Sequence, residues 1–306
     1  MEKILITGAT GFIGKNLISE FLKRKKFIIL AFVDKKDING IDYLNRKGIL
    51  TITLEDFEEF KGDIDYCVHL ASYGVAYGAR DIDTMIDVNI KLSAKILKFC
   101  SGHNCKLFLN TGSCFEYGTG ISDRLIKEND RLNPNDIYAA SKVSCEDFLN
   151  VYSQILNIKI CTIRPFSIFG IYEPPFRLMP LVLSKGIKHE TLDLTGGEQV
   201  RDYMDVRDVC FSIVELVMHN ELIRDREAIN ICSGKPLNLK EFIIKICEAC
   251  SFDIGLFNFG KLPYRKNESM YFAGDNSRLL SIIGEYDFSI KKERIVEIYN
   301  WFSSQI

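Results

Sequence analysis

The chain has 306 residues, of which 47% are hydrophobic and 26% charged, with a formal net charge of −2. This is an ordinary globular composition with no strongly basic balance to point to nucleic acid, and no apolar run reaches membrane-spanning length. No leader pattern precedes the first apolar run, which sets the expectation of a cytoplasmic protein.

Lys3 to Thr7 is a continuous apolar run, the pattern of a strand buried on both faces of a parallel sheet. Gly8-Ala9-Thr10-Gly11-Phe12-Ile13-Gly14 follows, and helical spacing then begins at Leu17, Ile18, Phe21 and Leu22. A glycine-rich turn between strand and helix lets a pyrophosphate approach backbone N–H groups at the positive end of the helix. A second apolar run, Phe27 to Val33, ends in Asp34, twenty residues past Gly14. An acid at that distance can accept hydrogen bonds from an adenosine ribose.

Further strands are expected over Ile49 to Thr53, Tyr66 to Leu70 and Lys106 to Asn110, with a long helix over about 84–100. Strands alternating with helices indicate an α/β chain built on a Rossmann-type, doubly wound parallel sheet. Asn133-Pro134-Asn135-Asp136 supplies turn and N-cap chemistry for a helix over about 137–157. That helix carries Tyr138 and Lys142, which at a spacing of four project from one face. A phenol ordinarily titrates near ~10, and a nearby ammonium favours its charged form, so the pair suits general acid/base work. Ile158 to Ile163 reads as another strand, and Glu173-Pro174-Pro175 as a breaker. We therefore expect a dinucleotide-binding domain over 1–165 and a smaller α/β substrate-binding domain over 166–306, with part of 200–235 returning to the first. The ten cysteines are scattered through apolar segments and read as reduced core thiols. Cys247 and Cys250 form a lone CxxC in a helical pattern, and the four histidines lack ligand spacing, so no metal site is expected.

The G-x-x-G-x-x-G spacing resembles the extended short-chain dehydrogenase/reductase superfamily, the NAD-dependent epimerase/dehydratase enzymes of nucleotide sugars. The resemblance runs along nearly the whole chain. It implies that the 8–14 loop, with Gly8, Thr10, Gly11, Phe12, Ile13 and Gly14, holds the cofactor, joined by Leu70, Ala71, Ser72 and Pro165. Asn89 matches a position that supports the active site, and Tyr73 and Tyr77 lie in a loop that faces the sugar. In the family a Ser or Thr stands four residues before the Tyr of a closing Tyr-Gly, which designates Ser113, with Tyr138 and Lys142 completing the catalytic group. Arg164-Pro165-Phe166-Ser167-Ile168-Phe169-Gly170 resembles the segment that leaves the nicotinamide for the substrate domain, with Ser167 in place of the common Asn. Arg177, Arg201 and Arg265 are implied substrate contacts, the last two on the diphosphate, where a guanidinium fork gives bidentate bonds.

Two departures narrow the chemistry that the resemblance implies. The family's dehydratases carry Asp-Glu after the Ser or Thr, where this chain has Cys114-Phe115. Its epimerase-reductases place a Cys two residues before the closing Tyr, where this chain has Phe115. The segment Gly112 to Gly118, the run Gly197 to Tyr203 and the tail from Phe257 look most like CDP-abequose and CDP-paratose synthases. The implied reaction is C4-reduction of an NDP-4-keto-6-deoxyhexose for surface polysaccharide sugars. An NDP-sugar 4-epimerase with retained NAD stays open, as does a non-catalytic dinucleotide sensor. Asp34 favours NAD(H), while Lys35 and Lys36 keep NADP(H) open. The helices over 84–100 and 137–157 are apolar on more than one face, including Leu149, Val151 and Ile155. This implies a homodimer through a four-helix bundle, as in enzymes that the chain resembles.

Overall fold

The computed structural model describes residues 1–75, 81–119, 124–266 and 268–305. Its first half alternates as the apolar runs require: β1 (Glu2–Thr7), α1 (Phe12–Arg24), β2 (Phe27–Phe32), α2 (Ile38–Arg46), β3 (Leu50–Ile52) and β4 (Tyr66–His69). Then come α3 (Ile82–Ile86), a π-helical turn (Asp87–Leu92), α4 (Ser93–Ser101), β5 (Leu107–Thr111), α5 (Ile137–Leu156) and β6 (Ile160–Pro165). A single long helix was expected over 84–100. The structure replaces its middle with a wide i→i+5 turn, which residue type does not announce.

The second half holds β7 (Ser167–Phe169), α6 (Leu178–Ile187), β8 (Leu192–Asp193), β9 (Val200–Arg201), β10 (Tyr203–Asp205), α7 (Val206–Met218) and β11 (Glu227–Ile231). It ends with β12 (Leu237–Asn238), α8 (Leu239–Cys250), β13 (Phe257–Asn258), β14 (Tyr271–Phe272), α9 (Ser277–Ile283) and α10 (Lys292–Ser303).

Among the described residues seven strands form one sheet in the order β3-β2-β1-β4-β5-β6-β11. Every pairing in it is parallel. The strand order reverses between β1 and β4, which opens a crevice at their carboxyl ends, where open α/β sheets bind ligands. Buried residues of α1, α2, α7 and α9 cover one face, Leu17, Phe21, Leu44, Ile213 and Leu279 among them. Ile96, Leu97, Cys145 and Leu149 from α4 and α5 cover the other. Residues 206–231 thus belong with the large sheet, β11 pairing with β6 and α7 packing on α1.

A smaller lobe packs short strand pairs against α6, α8 and α10 around Phe169, Leu183, Phe242 and Ile298. Tyr203 stacks on Phe242 with ring centroids 3.9 Å apart. Between the lobes, Cys114, Tyr117, Phe166 and Phe272 form a small apolar cluster, so the lobes meet where β5 and β6 end.

Candidate functional site

The glycine loop is held too tightly for any larger residue. Gly8 has φ +65°, and a Cβ there would lie 2.9 Å from the Ala71 backbone nitrogen. A Cβ on Gly14 would meet the Gly8 carbonyl oxygen at 2.2 Å. Among the described residues no side chain caps the N-terminus of α1 at Gly11, so its first-turn N–H groups are left without a side-chain acceptor. This cradle fits a dinucleotide pyrophosphate. Asp34 follows β2; its Oδ1 accepts the Lys36 N–H at 2.9 Å, while Lys35 pairs with Glu55. Asp34, Lys35 and Glu55 rim a recess of about 210 Å³ with Phe32, Thr53 and Leu92. Phe12 and Ile13 pack into the core behind the loop, and Thr10 lies against Gly40.

A buried relay fixes the segment after β4. Thr7 Oγ1 accepts the Ala71 N–H at 3.1 Å and lies 2.8 Å from His69 Nδ1. His69 Nε2 lies 2.8 Å from Ser93 Oγ, which donates to the Asn89 carbonyl at 2.8 Å. With its own hydrogen committed, Ser93 accepts from His69, which sets the Nε2–H tautomer and makes Nδ1 the acceptor from Thr7. Burial, then the charge of Lys142, pushes the His69 pKa down to about 3, so the ring is neutral.

Asn89, in the π turn, is fully buried. Its Oδ1 accepts the Tyr73 N–H at 2.8 Å and the Ser72 hydroxyl at 3.4 Å. Its Nδ2 donates to the Tyr73 carbonyl at 3.0 Å and to Ser141 Oγ at 2.9 Å. Ser141 in turn donates to the Tyr138 carbonyl at 2.7 Å. One amide therefore ties the 72–73 loop to the first turn of α5. Tyr77 lies outside the described residues.

Asp136 caps α5 by accepting the Ala139 N–H at 2.8 Å. Tyr138 and Lys142 are 7% and 2% exposed, one turn apart. Among the described residues nothing bonds to the Tyr138 hydroxyl or the Lys142 ammonium. A buried ammonium without a partner suits a ribose hydroxyl pair, which is a second respect in which the residues present fit a dinucleotide. Ser113 follows β5 as the N-cap of a short 3₁₀ turn, Cys114–Tyr117. Its Oγ accepts the Phe115 N–H at 3.2 Å, which leaves the hydroxyl hydrogen to donate.

At Phe115, two residues past Ser113, opens a cleft of about 450 Å³ lined also by Thr119, Asp136, Arg201, Arg265, Glu268 and Phe272. The two arginines expected on a diphosphate thus line one cleft. Arg201 donates to the Val200 and Ser269 carbonyls at 2.7 and 2.8 Å and pairs with Glu268. Arg177 is placed differently from the expectation: it is tied to Glu173 at 3.0 Å and to the Ile168 carbonyl at 3.1 Å, outside the lining of that cleft. Ser167 opens β7, its N–H donating to the Asp202 carbonyl at 3.0 Å, and Pro165 closes β6.

Sequence reasoning missed a buried charge cluster. Arg164 donates from Nε to Glu116 at 2.7 Å and from Nη2 to both oxygens of Glu146 at 2.8 Å. Its Nη1 reaches the Tyr117 hydroxyl at 3.0 Å. Glu116 also accepts the Ser113 N–H at 2.7 Å, completing a capping box. Burial raises the Glu116 pKa to about 7 against the opposing pull of Arg164. The available signal was Glu116 three residues after an N-cap serine.

The model of the NAD dependent epimerase/dehydratase family matches residues 4–232. GDP-6-deoxy-D-talose 4-dehydrogenase of Aggregatibacter actinomycetemcomitans is 27% identical over 304 residues, 97% of each chain. CDP-abequose synthase of Salmonella typhimurium is 23% identical over 299 residues, 95% of each chain. Among solved structures, the UDP-glucuronic acid 4-epimerase of Bacillus cereus in complex with UDP-glucuronic acid and NAD superposes with a TM-score of 0.83 at 20% identity, covering 99% of this chain and 100% of that one.

Proposed function

We propose that this chain, which belongs to the NAD dependent epimerase/dehydratase family, is a nucleotide-sugar C4-reductase acting on an NDP-4-keto-6-deoxyhexose. The observation that carries the reading is the wall beside Ser113. The residues after it are a buried thiol, Cys114, and an exposed ring, Phe115, so no carboxylate stands there for elimination. Of the cleft's own acids, Asp136 caps α5 and Glu268 pairs with Arg201. The groups that remain suit reversible proton transfer to a sugar oxygen. The full-length relatives support the same carbon: one is named a 4-dehydrogenase of a 6-deoxy sugar, the reverse of a C4-reduction.

In this reading the Tyr138 hydroxyl gives its proton to the C4 oxygen while Ser113 donates a hydrogen bond to the same atom. Lys142 favours the phenolate that results. NAD(H), when bound, supplies the hydride. Arg201 and Arg265 hold the diphosphate, so that binding far from the reacting carbon positions it. Asp34 next to an adenosine ribose would repel a 2′-phosphate, and the Lys35–Glu55 pair engages one of the two lysines that could offset this. We therefore favour NADH over NADPH.

We also assign a second copy of the chain to the outer faces of α3 and α5. Phe148, Val151 and Ile155 are 48%, 61% and 74% exposed, and Ile82 and Ile86 lie exposed on α3. Such a continuous apolar stripe suits an isologous helix bundle. Among the described residues, which include every cysteine, all the thiols are free, in keeping with the cytoplasm, where we place the enzyme.

The test is incubation with the CDP, dTDP and GDP forms of a 4-keto-6-deoxyhexose plus NADH or NADPH, following cofactor absorbance. Oxidation of NADH with one of them supports the reading; no turnover with any defeats it, and a tenfold NADPH preference overturns the cofactor assignment.

A further inference from the structure

The assignment of Ser113, Tyr138 and Lys142 leaves the Arg164 cluster unexplained, and its placement is informative. Arg164 is the penultimate residue of β6 and is 3% exposed. On one side its guanidinium holds Glu116, whose other oxygen fixes the Ser113 N–H. On the other it holds Glu146, one turn beyond Lys142 on α5. One guanidinium therefore joins the turn that carries Ser113 to the helix that carries Tyr138 and Lys142. Two carboxylates against one guanidinium also leave a surplus negative charge in a buried place. The second cation that acts on Glu116 is Lys142, which does so through space and has no ion pair among the described residues. The four formal charges sum to zero, yet among the described residues the Lys142 ammonium makes no ion pair.

We propose that Glu116, acting through Arg164 and Glu146, is a positioning residue that holds Ser113 in register with Tyr138 and supplies the counter-charge to Lys142. The proposal rests on the catalytic assignment above and adds to it an ionised state on which the geometry depends. With Glu116 protonated, Arg164 Nε and the Ser113 N–H share a weaker acceptor, and Lys142 loses its balancing charge.

The groups facing Glu116 are Arg164 from β6 and Glu146, Lys142 and Cys145 from α5. Cys114 and Tyr117 come from its own turn, and Glu128 acts on Tyr117 and Arg164 from the adjoining loop. Burial pushes both thiols and the Tyr117 phenol upward, so none of the three ionises near neutrality. Glu116 itself titrates at about 7. The active form is therefore lost as pH falls through neutrality.

The experiment measures kcat from about pH 5.5 to 8.5 on the 4-keto sugar that the enzyme reduces, for the wild type, Glu116→Gln, Glu146→Gln and Tyr138→Phe. Glutamine keeps an acceptor for Ser113 but no charge and no titration. The wild-type kcat should fall on the acid side with a midpoint near 7, while Glu116→Gln stays flat at the low level. Their ratio should then grow about tenfold across the range, with KM and NADH affinity unchanged within about twofold. A ratio that does not vary with pH, as a general loss of packing would give, overturns the proposal. Glu146 is one of the charges raising Glu116, so Glu146→Gln should move the acid limb to lower pH. It carries the test where Glu116→Gln does not fold, and an unmoved limb is contrary. A wild-type profile without a limb near neutrality refutes the network with no variant at all. Tyr138→Phe separates the two readings: if it keeps turnover the catalytic assignment falls, whereas its loss beside a fully active Glu116→Gln removes only the network.

Discussion

Gly14→Ala tests the cofactor cradle at its tightest point. The added Cβ would sit 2.2 Å from the Gly8 carbonyl oxygen and 2.7 Å from both Ala9 C and Ala9 Cα. Ordinary contact begins near 3.4 Å, so something must move by about 1 Å, and every atom in the way is backbone. Gly8 has little room to retreat: a Cβ built on it would lie 2.9 Å from the Ala71 nitrogen, and its carbonyl accepts the Gly11 N–H at 3.1 Å. The strain belongs to the overpacking class, about 1–3 kcal/mol, and lowers Tm by a few degrees. A shift of this size in a pyrophosphate cradle should cost at least ~10-fold in NADH affinity, about 1.4 kcal/mol. Gly48→Ala is the control. Gly48 has φ +70° with nothing within 4 Å of its Cβ position, so alanine there brings backbone strain alone. NADH fluorescence titration and thermal melts read both variants. Wild-type NADH affinity and wild-type Tm in Gly14→Ala would refute the cradle.

Tyr138→Phe should fold, bind NADH normally and lose about 10²–10⁴ in kcat, as expected when a proton donor alone is removed; near-normal turnover would contradict this. If the proposed dimer forms, Ile155→Glu should sediment at micromolar concentration as a folded monomer where the wild type sediments as a dimer; a monomeric wild type, or an Ile155→Glu protein that still sediments as a dimer, would remove the helical interface. His69 titrates at about 3 when folded against 6.5 unfolded, so the unfolded chain binds the extra proton as pH falls between those values. Stability attributable to His69 is thus full above 6.5 and lost on acidification, at up to ~1.4 kcal/mol per pH unit, and denaturant melts of His69→Gln should lack that share of the slope. An identical acid slope in both proteins would contradict a neutral, relay-bonded imidazole.

What could be read from the sequence is what lies close together along it. The glycine loop, Asp34 and the Tyr138/Lys142 pair depend on spacings within one βαβ unit or one helical turn, so pattern alone brings them together. The Arg164 cluster joins residues 18 and 48 positions apart, and only the sheet order places β6 beside β5 and α5. The π turn has the composition of an α-helix; its trace in the sequence is a pair of polar residues, Asn89 and Ser93, on an otherwise apolar face. Helix α5 is apolar on more than one face, so periodicity did not sort its faces. The structure does: Leu149 is fully buried in the sheet-facing core, and Ile155 is 74% exposed. A charge at Leu149 would therefore unfold the chain rather than split a dimer. Arg177, read as a substrate contact, pairs with Glu173 four residues earlier, a local partner that the spacing announced.

Transfer of label from the cofactor tests the central claim most directly. The protein is incubated with NADH deuterated at the transferred position and the 4-keto-6-deoxy sugar nucleotide that it consumes, and the product is read by NMR. The account predicts one deuterium at C4 of the sugar for each NADH oxidised, with the 6-methyl group intact. Unchanged 4-keto sugar with no NADH oxidised, beside inversion at C4 of the matching 4-hydroxy sugar nucleotide without deuterium drawn from the added NADH, would contradict it and identify an epimerase instead.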